Sequence, residues 1–269
     1  MNWILLRLGD LTSVLPMTMK HLFASGITIL TCSVTTLADV SVKPAGMRIV
    51  WDSPSEEPNF DTYHSNEGVN LCFSLNSDGE KIIGYRVGDS DVTVKVGGQN
   101  LGVKFQSWEK ISKDGKSMKL EVATDKLPER KAGKFKVSGS IKVLLASKKE
   151  TKSTEVKAFK EGDKVTFGDD FAFKIIGLSK PTFGDYELDV VLVWKHDISA
   201  LAEVRFYDED GKLIESRQGG GGGHGEPVVV RSYSLKKKPE AFKIEMDLWE
   251  DIEMVTVPLK MNLGLSGVE

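Results

Sequence analysis

The stretch RQGGGGGHGEP at residues 217–227 is the part of the sequence that comes nearest to a cofactor motif. Gly220, Gly222 and Gly225 satisfy the dinucleotide-binding pattern G-x-G-x-x-G, and Glu245 lies 20 residues further on. That pattern binds a pyrophosphate only where a helix N-terminus follows it. The sequence EPVVV follows here instead, and a β-branched run favours a strand. We therefore predict a flexible connection between two strands, and no bound cofactor.

Candidate metal ligands are few and scattered. The chain has four histidines and two cysteines, and His64, His196 and His224 show none of the spacings of zinc ligands. The acidic segment at 208–210 lacks the D-x-D-x-D-G loop of a calcium site and is followed by Gly211. We predict a hairpin turn at this segment and no metal site in the chain.

Residues for nucleophilic or acid–base catalysis form no recognisable set. The G-x-S-x-G motif does not occur, and His196-Asp197, at a predicted strand end, is the best-placed acid–base pair. A structural role is favoured for both of these residues. Cys72 falls opposite the apolar face of its predicted strand, where cover by a neighbouring element is favoured over a reactive thiol. The sequence therefore predicts no catalytic residues and a protein that is not an enzyme.

Tryptophans offer another kind of contact, because an indole ring can stack on a sugar ring as well as fill a core. Trp194 shares the apolar face of its predicted strand and is expected in the core. Trp108 lies among polar residues, and Trp249 is out of phase with its apolar neighbours. Trp108 and Trp249 are therefore the candidate ligand contacts.

Composition and charge exclude one class of partner. The 269-residue chain is 40% hydrophobic and 28% charged, as globular proteins are, and its net charge is −3. Lysines and acids are interspersed, so no single-sign field is available to attract a polyanion. We predict that nucleic acid is not a partner.

Alternating hydrophobicity is the main signal for secondary structure. The segments at 69–75, 186–194 and 241–248 place apolar residues at every second position, with polar residues between them. A period of two with one polar face is typical of half-buried antiparallel strands. Gly/Asp turn signals separate such runs at short intervals. The predicted fold class is all-β.

The lengths of these β-rich regions suggest two domains. A lysine-rich polar stretch at 148–164 separates two regions of a size that suits immunoglobulin-like sandwiches. We predict two consecutive antiparallel β-sandwich domains, at 39–159 and 160–269, after an N-terminal leader at 1–38.

The leader prediction is based on an apolar run at 22–30, which is too short to span a membrane. Cleavage is expected near Ala38, with translation starting at Met17 or Met19. A less favoured alternative is a lipoprotein box in which Cys32 is acylated. The mature chain is then expected to be extracytoplasmic, in the periplasm or secreted, without a transmembrane segment.

Two segments in the C-terminal half carry a family resemblance. AEVRFYDEDGKLIESRQ at 202–218, before the glycine run, and LWEDIEMVTVPLKMNLGL at 248–265 resemble an uncharacterised family of secreted bacterial proteins. The resemblance is best over 160–265. It implies a signal peptide and two β-rich halves, and it implies no activity.

These observations predict a non-catalytic binding, adhesion or structural module of the cell envelope. Its expected partner is an envelope protein or a polysaccharide. The alternative is an extracytoplasmic carbohydrate-active enzyme or its carbohydrate-binding accessory module. An exposed tryptophan beside two carboxylates in a groove would favour that alternative, and burial of Trp108 and Trp249 would weaken it.

Overall fold

The computed structural model describes residues 40–50, 68–106, 110–124, 126–129, 133–157, 160–168, 171–182, 184–221 and 228–264. All the regular elements in these ranges are β-strands, which confirms the predicted all-β class. In chain order the strands are β1 (Val40–Val50), β2 (Gly68–Ser77), β3 (Lys81–Val96), β4 (Gln99–Asn100), β5 (Lys104–Phe105), β6 (Lys110–Ile111), β7 (Ser117–Ala123), β8 (Phe135–Ala146), β9 (Lys148–Val156), β10 (Lys164–Phe167), β11 (Phe171–Ser179), β12 (Leu188–Trp194), β13 (Leu201–Tyr207), β14 (Leu213–Ile214), β15 (Ser216–Gly221), β16 (Val229–Leu235), β17 (Phe242–Glu250) and β18 (Glu253–Leu263).

The strands form four antiparallel sheets. Sheet A has the order β1-β2-β7-β5, with β6 also paired to β7, and sheet B has the order β18-β8-β3-β4. Sheet C has the order β14-β13-β17-β9, and sheet D has the order β10-β11-β12-β16-β15. Sheets A and B share one hydrophobic core, and sheets C and D share a second.

The first core follows directly from the alternation in the sequence. Val69, Leu71, Phe73 and Leu75 of β2 are all fully buried, while the residues between them are partly exposed. Strands β3, β8 and β18 supply the facing layer from sheet B. Each aliphatic or aromatic side chain buried in this way contributes about 1.5–3 kcal/mol.

The second core has the same construction. Leu188, Val190, Leu192 and Trp194 of β12 point inward, as the sequence predicts, and Trp194 is fully buried. The inner face of β17 supplies the opposite layer from sheet C through Phe242, Ile244, Met246 and Leu248.

The two cores are connected by a continuous two-stranded ribbon. Strands β8 and β9 are separated only by Ser147, and β17 and β18 only by Asp251 and Ile252. Strand β18 pairs with β8 in sheet B, and β17 pairs with β9 in sheet C. Asp251 turns the chain with a φ of 52°, and its carboxylate lies 3.1 Å from the Nζ of Lys148.

This pairing does not follow the predicted division into 39–159 and 160–269. Strand β9 precedes residue 160 but belongs to sheet C, and β18 lies near the C-terminus but completes sheet B. Lys148–Val156, which was predicted to separate the two regions, is a strand in the second of them. The division into two domains stays a prediction.

Candidate functional site

The outer face of sheet D carries apolar side chains where a solvated sheet normally carries polar ones. Val193 of β12 is paired directly with Val230 of β16, and in the next row Val191 is paired with Ser232. Ile176, in a bulge of β11 beside this row, is 45% exposed, and Val230 is 39% exposed. We call this surface, formed by Ile176, Val191, Val193 and Val230, the valine face.

Two glycines keep the valine face flat. A Cβ atom on Gly177 would lie 3.2 Å from Cγ2 of Val191, and one on Gly219 would lie 2.2 Å from Oγ of Ser232. Gly177, Val191 and Ser232 are successive partners across three strands, and Gly219 lies beside Ser232 on β15. The row of partners that contains Val191 and Ser232 therefore has a glycine at each end. These small residues leave the surface low and even.

A basic cavity of about 460 Å³ lies at one end of the valine face. Its lining includes Lys164, Lys174, Lys195 and His196, and we call it the lysine cavity. Val193 belongs both to this lining and to the valine face. Lys164 and Lys174 are direct partners across β10 and β11, and Lys174 is the partner of Val193. Within the described ranges, no carboxylate lines this cavity.

The outer face of sheet C has the opposite character, because its charges are paired with one another. Arg205 of β13 donates to both carboxylate oxygens of Asp247, at 2.7 and 2.9 Å, and to Glu203 at 2.8 Å. Thr151 Oγ1 donates to Asp247 at 2.7 Å from the neighbouring strand β9. The hydrogen bonds from Arg205 lower the pKa of Asp247 to about 2, and Asp247 in turn raises the pKa of Arg205.

Trp249, a predicted ligand contact, lies where the two cores meet. It is on the outer side of β17, as its phase predicts, but it packs against Ile83, Leu144 and Ala146 of sheet B. Lys149 Nζ lies over the indole at 4.5 Å from the ring centroid, and a second lysine, Lys81, lies at 5.8 Å. These contacts occupy the ring in cation–π and packing interactions. Its role as a ligand contact stays a prediction.

Trp108, the other predicted ligand contact, lies outside the described residues. Cys72 is described, and it lies opposite the core face of β2, partly buried, as a free cysteine. Burial raises the pKa of its thiol, and the nearby ammonium of Lys119 opposes that effect only in part. A thiol with a raised pKa is protonated at neutral pH and is a poor nucleophile.

His196 and Asp197 are adjacent in sequence but have different surroundings. Asp197 accepts hydrogen bonds from the backbone N and the Oγ of Ser199, at 2.9 and 2.7 Å, and forms an ion pair with Arg86 of β3. Burial alone would raise the pKa of Asp197, but these hydrogen bonds outweigh it and lower the pKa. The carboxylate of Asp197 is thus engaged by Ser199 and by an ion pair that connects the two cores. This geometry gives no support to His196 and Asp197 as a catalytic acid and base.

The acidic segment at 208–210 is a hairpin turn, as predicted. Asp208 is buried and accepts hydrogen bonds from the backbone N of Asp210 and of Lys212 and from the Nζ of Lys237. Gly211 closes the turn with a φ of 75°. Among the described residues, no three His, Cys, Asp or Glu side chains form a group that could hold a metal ion.

The glycine run is more ordered than the sequence predicts at its N-terminal end. Gly219, Gly220 and Gly221 belong to β15, which pairs with β16, and residues 222–227 lie outside the described residues. The next described segment, from residue 228, leads into strand β16, whereas a dinucleotide site requires a helix after the glycines. His224 lies among the residues that are not described.

The lysine cavity and the valine face were both missed by reasoning from sequence. Lys164, Lys174 and Lys195 lie on three different strands or strand ends, and no local spacing connects them. The valines did leave a signal in the segment at 186–194. Its outward positions change from acidic residues to Val191 and Val193, which departs from the polar outer face of a solvated strand.

The fold and the surfaces described above define an all-β protein with four antiparallel sheets around two cores. No family model, curated protein or solved structure matches the chain. The resemblance to secreted bacterial proteins therefore has no support from these comparisons. Among the residues that the structure describes, none forms a long apolar helix of the kind that spans a membrane.

Proposed function

We propose that this protein is a non-catalytic binding module of the bacterial cell envelope, and that the valine face is its contact surface. The expected partner is another envelope protein with a flat apolar surface. The observation that carries the proposal is the group of exposed and half-buried aliphatic side chains on the outer face of sheet D. Val230 and Ile176 are 39% and 45% exposed on a sheet surface that two glycines keep flat.

Chemistry favours a protein over a polysaccharide as the partner at this face. Sugar rings are recognised by aromatic stacking and by dense hydrogen bonding. The described side chains of the valine face are aliphatic, and the row that contains Val191 has a glycine at each end. Contiguous exposed aliphatic side chains on a sheet mark protein–protein interfaces.

The architecture proposed with this function is a pair of immunoglobulin-like sandwich domains. Sheets A and B would form the first domain, completed by β18, and sheets C and D the second. Support comes from the two separate cores, each enclosed by two antiparallel sheets. Export after cleavage near Ala38 belongs to the same proposal.

A photo-crosslinking experiment in the native host tests the proposal. A benzoylphenylalanine placed at Ile176 reports what covers the face, and it is combined with either Val230→Gln or Val87→Gln. Val87, on β3, is 48% exposed and belongs to sheet B, so it is a control of matched exposure on a different sheet. We expect one discrete protein adduct that Val230→Gln reduces at least about tenfold and Val87→Gln leaves intact, since a few residues dominate an interface.

The same material tests export, because mass spectrometry of the adduct should give an N-terminus at Asp39. An adduct that responds equally to both substitutions would contradict the proposed face. A chain that starts at Met1 in the cytoplasm would contradict export.

A further inference from the structure

The lysine cavity brings together positive charges that the surrounding protein leaves without ion pairs. Lys164, Lys174 and Lys195 are exposed, and no ion pair involves them in the part of the chain that the structure describes. The turn that precedes β10 contributes Gly162 to the lining, and Gly162 ties this turn to β11 by donating its backbone N–H to Ile175 O at 2.8 Å. Three lysines thus belong to the lining of one cavity, and two of them are direct partners on paired strands.

Direct cross-strand pairing of like charges is unfavourable in a sheet. Lys164 and Lys174 form such a pair, but so do Lys95 and Lys136 of sheet B. A lysine pair alone is therefore not a site in this protein. The pair on sheet D differs because it borders a cavity that a third lysine and a histidine also line.

His196 adds an independent observation. Its Nε2 is buried and has no hydrogen-bond partner among the residues that the structure describes. The imidazole is held edge-on to Phe171, with ring centroids 5.0 Å apart and an interplanar angle of 77°. The ring is thus held in place by an aromatic contact while His196 lines the cavity beside the three lysines.

We propose that the lysine cavity is a binding site for a phosphate or sulfate group carried by a small ligand. A tetrahedral oxyanion offers several acceptor oxygens, so three separate ammonium donors can bind it at once. Binding would also neutralise the repulsion between Lys164 and Lys174. The volume of about 460 Å³ admits the oxyanion together with an attached group the size of a sugar ring.

Titration with inorganic phosphate and with sulfate at constant ionic strength tests this site in the mature chain. At about ten times the dissociation constant, either anion should raise the Tm by about 3–6 °C. Lys174→Gln should weaken binding at least about tenfold, and it should raise the Tm of the free protein slightly because it removes the repulsion. Lys136→Gln, in the matched lysine pair of sheet B, should leave anion binding unchanged.

A site-specific readout comes from the side-chain NMR signals of His196. They should shift on addition of phosphate in the wild type, and the shift should be lost in Lys174→Gln. Acetate provides the comparison with a planar carboxylate, and we expect a weaker response to it. A stronger response to acetate would overturn the choice of a tetrahedral oxyanion.

If phosphate raised the Tm of the wild type and of Lys174→Gln equally, the proposed site would be overturned. Equal losses of anion affinity in Lys174→Gln and Lys136→Gln would also overturn it. The site shares Val193 with the valine face, but Val230 is not among its described lining residues, so the two proposals can fail separately. Val230→Gln should reduce the crosslink at the valine face at least about tenfold and leave phosphate binding intact.

Discussion

Sheets C and D enclose the same core but have opposite outer faces. On sheet C, Arg205 is paired with Asp247, Glu203 and Glu245, and Tyr207 donates to Glu245 at 2.8 Å. On sheet D, the described outer face presents valines beside lysines that form no ion pairs within the described ranges.

This difference has a physical meaning. A polar sheet face whose charges pair with one another is stabilised by its own side chains, and it offers little to a partner. An aliphatic face with unpaired cations at its margin gains free energy only when another molecule covers it. Sheet C is therefore expected to contribute more to folding, and sheet D more to recognition.

The largest expected effect comes from breaking the ion pair on sheet C. Asp247→Asn should lower the free energy of unfolding by about 2 kcal/mol, because it removes a charge that accepts two hydrogen bonds from Arg205. Urea denaturation of the two proteins measures this difference.

Glu203→Gln is the matched control, since Glu203 bonds to the same Arg205 but its side chain is 55% exposed. We expect a change within about 0.5 kcal/mol for an exposed pair. Equal effects of the two substitutions would mean that the network on sheet C is only a surface feature.

Lowering the pH should gradually remove the stabilisation that the ion pair between Asp247 and Arg205 provides. The pKa of Asp247 is about 2 in the folded protein, below its ordinary value of 3.8, so this stabilisation is complete above about pH 4. It should be lost as the pH falls from about 4 to 2, by up to about 2 kcal/mol. The measurement is urea denaturation at several pH values, with Asp247→Asn expected to show a shallower loss than the wild type.

The packing of the glycines on sheet D should give a smaller effect. Gly219→Val should lower the free energy of unfolding by about 1–2 kcal/mol, because a Cβ there would lie 2.2 Å from Oγ of Ser232. The double substitution with Ser232→Gly should recover most of that loss. Gly88→Val is the control for β-propensity, since no described residue beyond its two chain neighbours has an atom within 4 Å of a Cβ at Gly88.

Thermal unfolding of the wild type, of Gly219→Val with and without Ser232→Gly, and of Gly88→Val measures these differences in stability. If Gly219→Val and Gly88→Val behave alike, the flatness of the valine face does not depend on its glycines.

Local patterns predicted the strands and their inward faces well. The alternation at 69–75, 186–194 and 241–248 correctly placed Leu71, Leu192 and Ile244 in a core. The reason is that the two faces of a strand follow directly from a period of two. The end of the glycine run was less well predicted, since glycine has little strand preference and Gly219 is held in β15 by its partner strand.

The candidate sites were predicted less well, because they depend on contacts between strands that are distant in the sequence. Trp249 was correctly assigned to the outer side of β17, but the residues that cover it come from sheet B. Lys164 and Lys174 meet because β10 and β11 pair in one register, and a shift by one residue would separate them.

The sequence by itself determined the all-β class, the inward face of each alternating strand and the acidic hairpin turn at 208–210. Those features depend on neighbours within a few residues. Only the tertiary structure decided that β18 returns to sheet B, that Trp249 lies between the cores and that three lysines share a cavity. These features depend on which distant strands pair, and strand pairing is fixed by the packing of the whole core rather than by any local pattern.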